Sequence, residues 1–402
     1  MKINHNNGAL TVYLAGRIDA NNAAEVESEI SAGLAKFPGE TPAFDASELE
    51  YISSAGLRVL LKCRKQFGKS LDVLNVSGDV YDIFSVTGFT ELLNVRKKLR
   101  EISLDGLEVI GRGAFSTVYR LDPETIIKVF DKYAAALAEV ERDKNISREV
   151  FLHDIPTAIS YDVVKAGGHY GLVYEMINAD TVSGTIKKHP ERLEELSIKT
   201  AHLLKKLHTT EFAPEKFPDA REKLHMMIQR SFAHEFITAD DKAIADGIID
   251  RIPYRNTFIH SDFHPKNIMV SGDDLILIDV GDAGLGNPII DFLFSYAHFV
   301  KMARDSASKG MGIHERIIGL DCATLGAMWN IILPEYFGTT DKETLSRYEE
   351  VMDYYASFFA LVVVTLETAE KNIPLEARKG LSKDVMTRLR EVADTLKPID
   401  GI

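Results

Sequence analysis

The chain has 402 residues, 45% of them hydrophobic, and a formal charge of −13; that length is too great for one ordinary core, so two domains are expected. Residues 1–97 carry 10 basic and 12 acidic side chains, a net −2 that leaves −11 for the rest, a surface expected to repel nucleic acid and anionic lipid. The two cysteines, Cys63 and Cys322, fall in different expected domains, which excludes a disulfide framework or a cysteine zinc site. No signal peptide or membrane span is read, so a cytoplasmic location is expected.

Leu10–Asp19 alternates as a half-buried strand, and Asn21 or Asn22 caps a helix over Ala23–Phe37. A short strand over Pro42–Ser47, a segment Leu49–Lys62 that turns helical at Ser54, a strand over Leu71–Val76 and a helix over Val80–Thr87 complete an α/β unit. Asp45 at a strand end, Ile52-Ser53-Ser54-Ala55-Gly56-Leu57 at a helix start and Ile83-Phe84-Ser85-Val86-Thr87-Gly88-Phe89 near the close resemble the STAS fold of anti-sigma-factor antagonists. That resemblance implies a mixed sheet with helices, a protein partner, and Ser54 as a regulatory phosphoacceptor. The family's Asp just before that serine is Ser53 here. A serine opening a helix also serves as a plain N-cap, so both readings of Ser54 stand.

Arg96-Lys-Lys-Leu-Arg100 reads as a solvated linker, which divides a first domain, 1–97, from a second, 98–402; Glu101–Asp105 is the expected first strand of the latter. Residues 107–120 give a strand, a Gly111-x-Gly113 turn and a second strand, with Ser116 where a third glycine is usual. Bare glycines let backbone amides approach phosphate oxygens. Glu124–Phe130 is an apolar strand with Lys128 at its centre, and an ammonium in that setting needs solvent or an anionic partner. The next amphipathic stretch, 133–153, offers Glu139, Glu141 and Glu149. Glu149 lies among apolar residues and is the expected partner of Lys128, whereas Glu139 and Glu141 fall in a more strongly charged stretch. Gly171–Ile177 reads as a strand leading to a hinge.

Leu193, Leu196, Leu203, Leu204 and Leu207 recur at helical spacing as core, ending at His208, read as a surface or capping histidine. Tyr354–Leu366 is very apolar but too short to cross a bilayer, so a buried helix is expected. Between these, in Phe258–Gly281, Asp262 precedes Asn267 by five positions and Asp279-x-Gly281 follows. Two apolar runs bracket the turn-rich middle as short buried strands. Phosphoryl transfer needs this arrangement: one carboxylate near the attacking hydroxyl, an amide and a second carboxylate on magnesium.

The segment resembles the protein-kinase-like superfamily. His264, two after Asp262, and the short span Asp279–Asp291, which leaves no room for a long activation loop or an Ala-Pro-Glu, are similar to the aminoglycoside phosphotransferase and choline kinase group. The resemblance covers about residues 98–402 and implies a two-lobed α+β fold, N-lobe about 98–178 and C-lobe about 179–402. It further implies Asp262 as the catalytic residue and Asn267 and Asp279 as magnesium ligands. ATP would then meet Gly111, Gly113, Ser116 and Lys128, with Glu149 orienting Lys128. Backbone groups around Glu175–Ile177 would hold adenine, and Asp291 would brace the catalytic loop.

The leading expectation is therefore an ATP- and Mg2+-dependent phosphotransferase acting on a small-molecule hydroxyl, with a regulatory STAS domain. A signalling kinase or partner switch that modifies a STAS serine, Ser54 or one on a partner protein, is the alternative. A catalytically silent binding module is a third reading, against which the full set Lys128, Asp262, Asn267 and Asp279 speaks.

Overall fold

The computed structural model describes residues 2–6, 9–68, 70–113, 115–131, 135–304, 313–366 and 373–399. The chain separates into two compact units, residues 1–103 with 164–167, and residues 104–163 with 168–402.

The first unit is a five-stranded mixed sheet with helices. Its strands are β1 (Lys2–Asn6), β2 (Ala9–Ile18), β3 (Ala43–Ile52), β4 (Asp72–Val76) and β5 (Asn94–Lys97), and they lie side by side in that order. Strands β1 and β2 are antiparallel, and the later pairs are parallel. The helices are α1 (Ala23–Leu34), α2 (Ser54–Phe67), α3 (Gly78–Val86) and the single turn α4 (Phe89–Leu92). Alternation in β2 sends Leu10, Val12 and Leu14 inward, where they meet Phe44, Ile52, Leu60, Val73 and Phe84. The edge strands β1 and β5 are absent from the sequence reading, because a short edge strand carries little apolar signal.

The start of α2 differs from expectation in one respect. Ser53, not Ser54, is the N-cap, with its hydroxyl accepting from the Ala55 amide at 3.2 Å. Ser54 is the first helical residue and is exposed. Glycine is required two positions on: a Cβ at Gly56 would sit 2.7 Å from Ile52 Cγ1 and 2.8 Å from Ile18 Cγ2. Asn22 holds the N-cap position of α1, yet its side chain does not cap that helix. It ties back to the strand end, accepting from Asp19 N and donating to Arg17 O.

The expected strand at 101–105 is three residues long, β6 (Arg100–Ile102), and pairs in parallel with Val164–Ala166. In the second unit, β7 (Val109–Arg112), β8 (Thr117–Arg120), β9 (Thr125–Val129) and β11 (His169–Glu175) form antiparallel neighbours; β10 (Ser160–Ala166) is divided, residues 164–166 counting with the first unit. Helix α5 (Leu137–Leu152) lies between β9 and β10 in the chain. Residues 133 and 134 of the stretch expected to be helical lie outside the described residues.

The remainder is helical, with two small sheets at its centre. In chain order come β12 (Asp180–Thr181), α6 (Val182–Lys188), α7 (Leu193–Thr209), α8 (Ala220–Ala233), α9 (Ala239–Asp250), β13 (Phe258–Ile259), β14 (Ile268–Ser271), β15 (Asp274–Leu277) and β16 (Gly284–Leu285). Helix α10 (Ile289–Tyr296) runs into a π-helical turn, Ala297–Lys301. Then follow α11 (Ile313–Ile318), α12 (Cys322–Phe337), α13 (Lys342–Val363) and α14 (Leu375–Glu391). The leucines of α7 enter the core, as do Phe258, Phe292, Trp329 and Tyr355. The apolar run from Tyr354 falls largely within α13, and among the described residues no helix is long and apolar enough to cross a membrane.

His208 is not a surface residue. It is buried, Nε2 facing Asp291 Oδ2 at 3.1 Å and Nδ1 facing the Tyr336 hydroxyl at 2.7 Å. The helical leucine stripe places it inward, and a buried carboxylate gives it a partner.

Candidate active site

Strand pairing brings the oxygen-bearing residues of 258–281 together. The β14–β15 hairpin sets Ile268 opposite Leu277, and the Ile278 amide donates to the Asn267 carbonyl at 2.9 Å, so Asn267 lies across from the residue before Asp279. The strand that delivers Asp279 is pinned by the Leu277 amide on Pro156 O and by Thr157 Oγ1 on Leu277 O. Asp279 itself has φ +62 and a half-exposed side chain. Such a left-handed residue costs on the order of 1 kcal/mol and persists where surroundings hold it.

Asp291 braces the loop that leads into Asp262. Its carboxylate, fully buried, accepts from the amides of His260 (2.9 Å) and Ser261 (2.6 Å), and Ser261 has φ +65. His260 Nδ1 accepts from the Asp262 amide at 3.2 Å, which leaves Nε2–H to donate to Ile278 O at 3.1 Å. One imidazole thus couples the Asp262 loop to the Asp279 strand.

Asn267 Nδ2 donates to the Asp262 carbonyl (3.0 Å) and to Asp262 Oδ2 (3.2 Å). His264 Nε2 stands 3.6 Å from Oδ2, and His298 Nε2 stands 3.3 Å from Oδ1. Burial alone would raise the Asp262 carboxyl; the two imidazoles outweigh it and hold the group well below the usual carboxylate range.

Lys128 is mostly buried, and its Nζ reaches Asp279 Oδ1 at 2.6 Å and Asp143 Oδ2 at 3.4 Å. Burial opposes its charge, but those carboxylates prevail and keep the ammonium protonated far above its ordinary range. The helix carboxylate facing Lys128 is therefore Asp143, and the expectation of Glu149 is corrected. Glu149 lies six residues further along α5, about 240° around the helix, and pairs with Lys216 at 3.2 Å. The inward stripe is Val140, Asp143, Ser147 and Val150. Glu139 accepts from the Ala136 amide and caps the first turn instead. Asp143 is also held by the Tyr174 hydroxyl at 2.9 Å, and its carboxylate packs on Gly281: a Cβ there would lie 2.4 Å from Asp143 Cγ.

The Gly111–Ser116 loop is closed by the Gly113 amide on Ser116 O at 2.8 Å, with Ser116 buried. Neither glycine has positive φ, so their use is bareness, not backbone freedom. Ala114 lies outside the described residues. At the hinge, the Glu175 amide donates to Ile159 O and Glu175 Oε1 accepts from Ile159 N, while the Met176 amide donates to Glu124 O. The Ile177 amide has no protein acceptor among the described residues.

Lys223, on α8, is a site residue absent from the sequence reading. Its Nζ donates to Ser261 O (3.1 Å) and Asp282 Oδ2 (2.8 Å), joining the loop before Asp262 to the loop after Asp279. The lysine's charge holds the Asp282 carboxyl below its ordinary value. The span after Asp279 folds straight back, with Gly284–Leu285 pairing Phe258–Ile259 before α10 begins. No long activation segment fits between them.

A family model described as the phosphotransferase enzyme family matches residues 106–321, and a STAS domain model matches residues 1–102. A Bordetella bronchiseptica protein named as an anti-sigma factor antagonist, BtrV, is 35% identical over 92 residues, 22% of this chain and 78% of that protein. Among solved structures, aminoglycoside phosphotransferase APH(2'')-Ib, ADP-bound, is similar with TM-score 0.46 and 17% identity, over 71% of this chain and 93% of that one. A choline/ethanolamine kinase family protein from Mesorhizobium loti gives TM-score 0.44 and 15% identity, over 73% and 89%.

Proposed function

The chain belongs to the phosphotransferase enzyme family and is a kinase for hydroxyl acceptors; on that premise we propose that it transfers the γ-phosphate of magnesium-bound ATP to a small-molecule hydroxyl, under regulation by its STAS domain. The two functions divide within residues 97–103. The observation that carries the reading is the convergence of Asp262, Asn267, Asp279 and Lys128 about one hairpin. Asp262 orients the acceptor hydroxyl and takes its proton as the new P–O bond forms and the bond to the leaving diphosphate oxygen breaks. Its carboxylate is ionised at neutral pH, so its contribution is chiefly orientation.

The oxygens present suit Mg2+. With Asn267 Nδ2 given to Asp262, Oδ1 is its remaining ligand atom, and the Asp279 carboxylate is half-exposed; hard oxygens with room for retained waters are what this cation requires. Bound there, magnesium neutralises phosphate charge. Lys128, now on Asp279, exchanges that carboxylate for phosphate oxygens while Asp143 holds it in line. Gly111, Gly113 and Ser116 cover the phosphates, and the Glu175 carbonyl and Ile177 amide receive adenine.

Asp279→Ala is expected to abolish magnesium-dependent nucleotide binding, measured with a fluorescent ATP analogue with and without the metal; unchanged affinity would overturn the assignment. A second reading, in which the kinase modifies a STAS serine, is favoured by one observation: Ser53 does the capping, so the exposed Ser54 hydroxyl is left for another use. Labelled phosphate on the protein itself would select it.

A further inference from the structure

Three side chains of α10 and its π-helical extension face the catalytic loop at i, i+4 and i+7, the spacing of one helix face. Asp291 accepts from the amides of His260 and Ser261. Ser295 Oγ donates to Phe263 O at 3.1 Å. His298, on the π turn, brings Nε2 to 3.3 Å from Asp262 Oδ1. The first two hold backbone on either side of Asp262, and the third meets the carboxylate itself. π-Helical turns inside helices are frequent at functional sites; here the turn carries the histidine.

We propose that His298 is a positioning residue for phosphoryl transfer, donating from Nε2–H to Asp262 Oδ1 and fixing the carboxylate toward the acceptor. This rests on Asp262 being the acceptor-side carboxylate. Oδ1 of Asp262 then faces His298, and Oδ2 accepts from Asn267 with His264 Nε2 3.6 Å away. The His298 ring is more than nine-tenths buried, set edge-on against His264 (4.8 Å between centroids) and Phe359 (4.9 Å). His264 Nδ1 accepts from the Lys266 amide at 3.3 Å, which places the His264 proton on Nε2, also toward Asp262. Two imidazoles with Nε2 turned toward one carboxylate form a cradle around it. Burial lowers the His298 pKa despite its carboxylate partner, which keeps the ring neutral at pH 7. The titratable groups facing the ring are Asp262 and His264; Lys301, one turn on, is held by Asp353 at 2.8 Å. A hydroxyl-bearing acceptor would approach the half-exposed side of Asp262 that this cradle leaves open.

The test uses the full chain and no acceptor other than water. Release of inorganic phosphate from Mg-ATP is measured for wild type, His298→Phe, His298→Gln and Asp262→Asn. His298→Phe keeps a ring in the pocket and loses the donor; His298→Gln keeps a donor. The expected result is a loss of about 10–100-fold for His298→Phe, as for a misplaced catalytic group, with Mg-ATP affinity within about twofold of wild type, and substantial recovery in His298→Gln. Wild-type turnover in His298→Phe, with Asp262→Asn inactive, overturns the proposal alone; turnover retained in Asp262→Asn overturns the acceptor-side reading beneath it. Nitrogen-detected NMR of the histidine rings decides independently of any turnover. His298 is expected as the Nε2–H tautomer, with a protonation midpoint that falls in Asp262→Asn because an anionic partner is lost. An Nδ1–H tautomer, or a midpoint indifferent to Asp262, overturns the proposal.

Discussion

Gly281→Ala should behave in opposite senses depending on Asp143. A Cβ at position 281 would lie 2.4 Å from Asp143 Cγ and Oδ2 and 2.6 Å from Oδ1, well inside contact distance. Asp143 is short and already held by Lys128 and the Tyr174 hydroxyl, so it can move only by breaking those contacts. Overpacking of this kind costs roughly 1–3 kcal/mol, and a hydrogen bond to a charged group is worth about 1.5–3 kcal/mol. In an Asp143→Ala background the obstructing atoms are gone. Position 281 does not have positive φ, so alanine there should then stabilise by about 0.4–1 kcal/mol through the unfolded chain. The expected coupling is therefore roughly 1.5–4 kcal/mol, large for a two-residue cycle. Urea unfolding followed by tryptophan fluorescence is the assay, because the chain's single tryptophan, Trp329, is buried in the second unit. Equal destabilisation by Gly281→Ala in both backgrounds would refute the packing argument.

Asp143→Ala should weaken Mg-ATP binding by about tenfold or more, the loss of a charged contact, whereas Glu149→Ala, a partly exposed pair, should change it less than about twofold; titration with a fluorescent nucleotide would reveal the reverse ranking if Glu149 were the lysine's partner. Ser54→Asp should leave the first unit folded, since charge at a helix N-terminus is favoured by about 0.3–1 kcal/mol, and amide exchange in α2 that collapses to unfolded rates would count against it. Because Lys223 depresses Asp282, the stability from that pair is full above the ordinary aspartate value of about 4 and is lost as pH falls through the lower folded value. Stability of the second unit between pH 5 and 3 should accordingly fall less in Asp282→Asn than in wild type, and parallel curves would contradict this.

The proposed catalytic segment was legible because its oxygen-bearing residues are short polar side chains bracketed by apolar strands. Asp262, Asn267 and Asp279 come together as the spacing implied. Asp143 was not legible because an aspartate reaches Lys128 only if α5 approaches closely, and Gly281, far off in sequence, permits that approach. The signal available was the Val140, Asp143, Ser147, Val150 stripe, which excludes Glu149 on geometry. Lys223 and His298 sit on helices with no local motif, and only tertiary packing brings them to Asp262. The burial of His208 has no local signal, because its carboxylate partner lies 83 positions away. In the first unit the buried strands β2, β3 and β4 were legible from alternation, and the edge strands were not.

The most direct test is to incubate the full chain with γ-labelled ATP, magnesium and a pool of small hydroxyl compounds, then to separate protein from small molecules. Label is expected in the small-molecule fraction with wild type, and is expected to vanish with Asp262→Asn although that variant still binds Mg-ATP. Label confined to the protein, or transfer undiminished in Asp262→Asn, would contradict the proposed reaction.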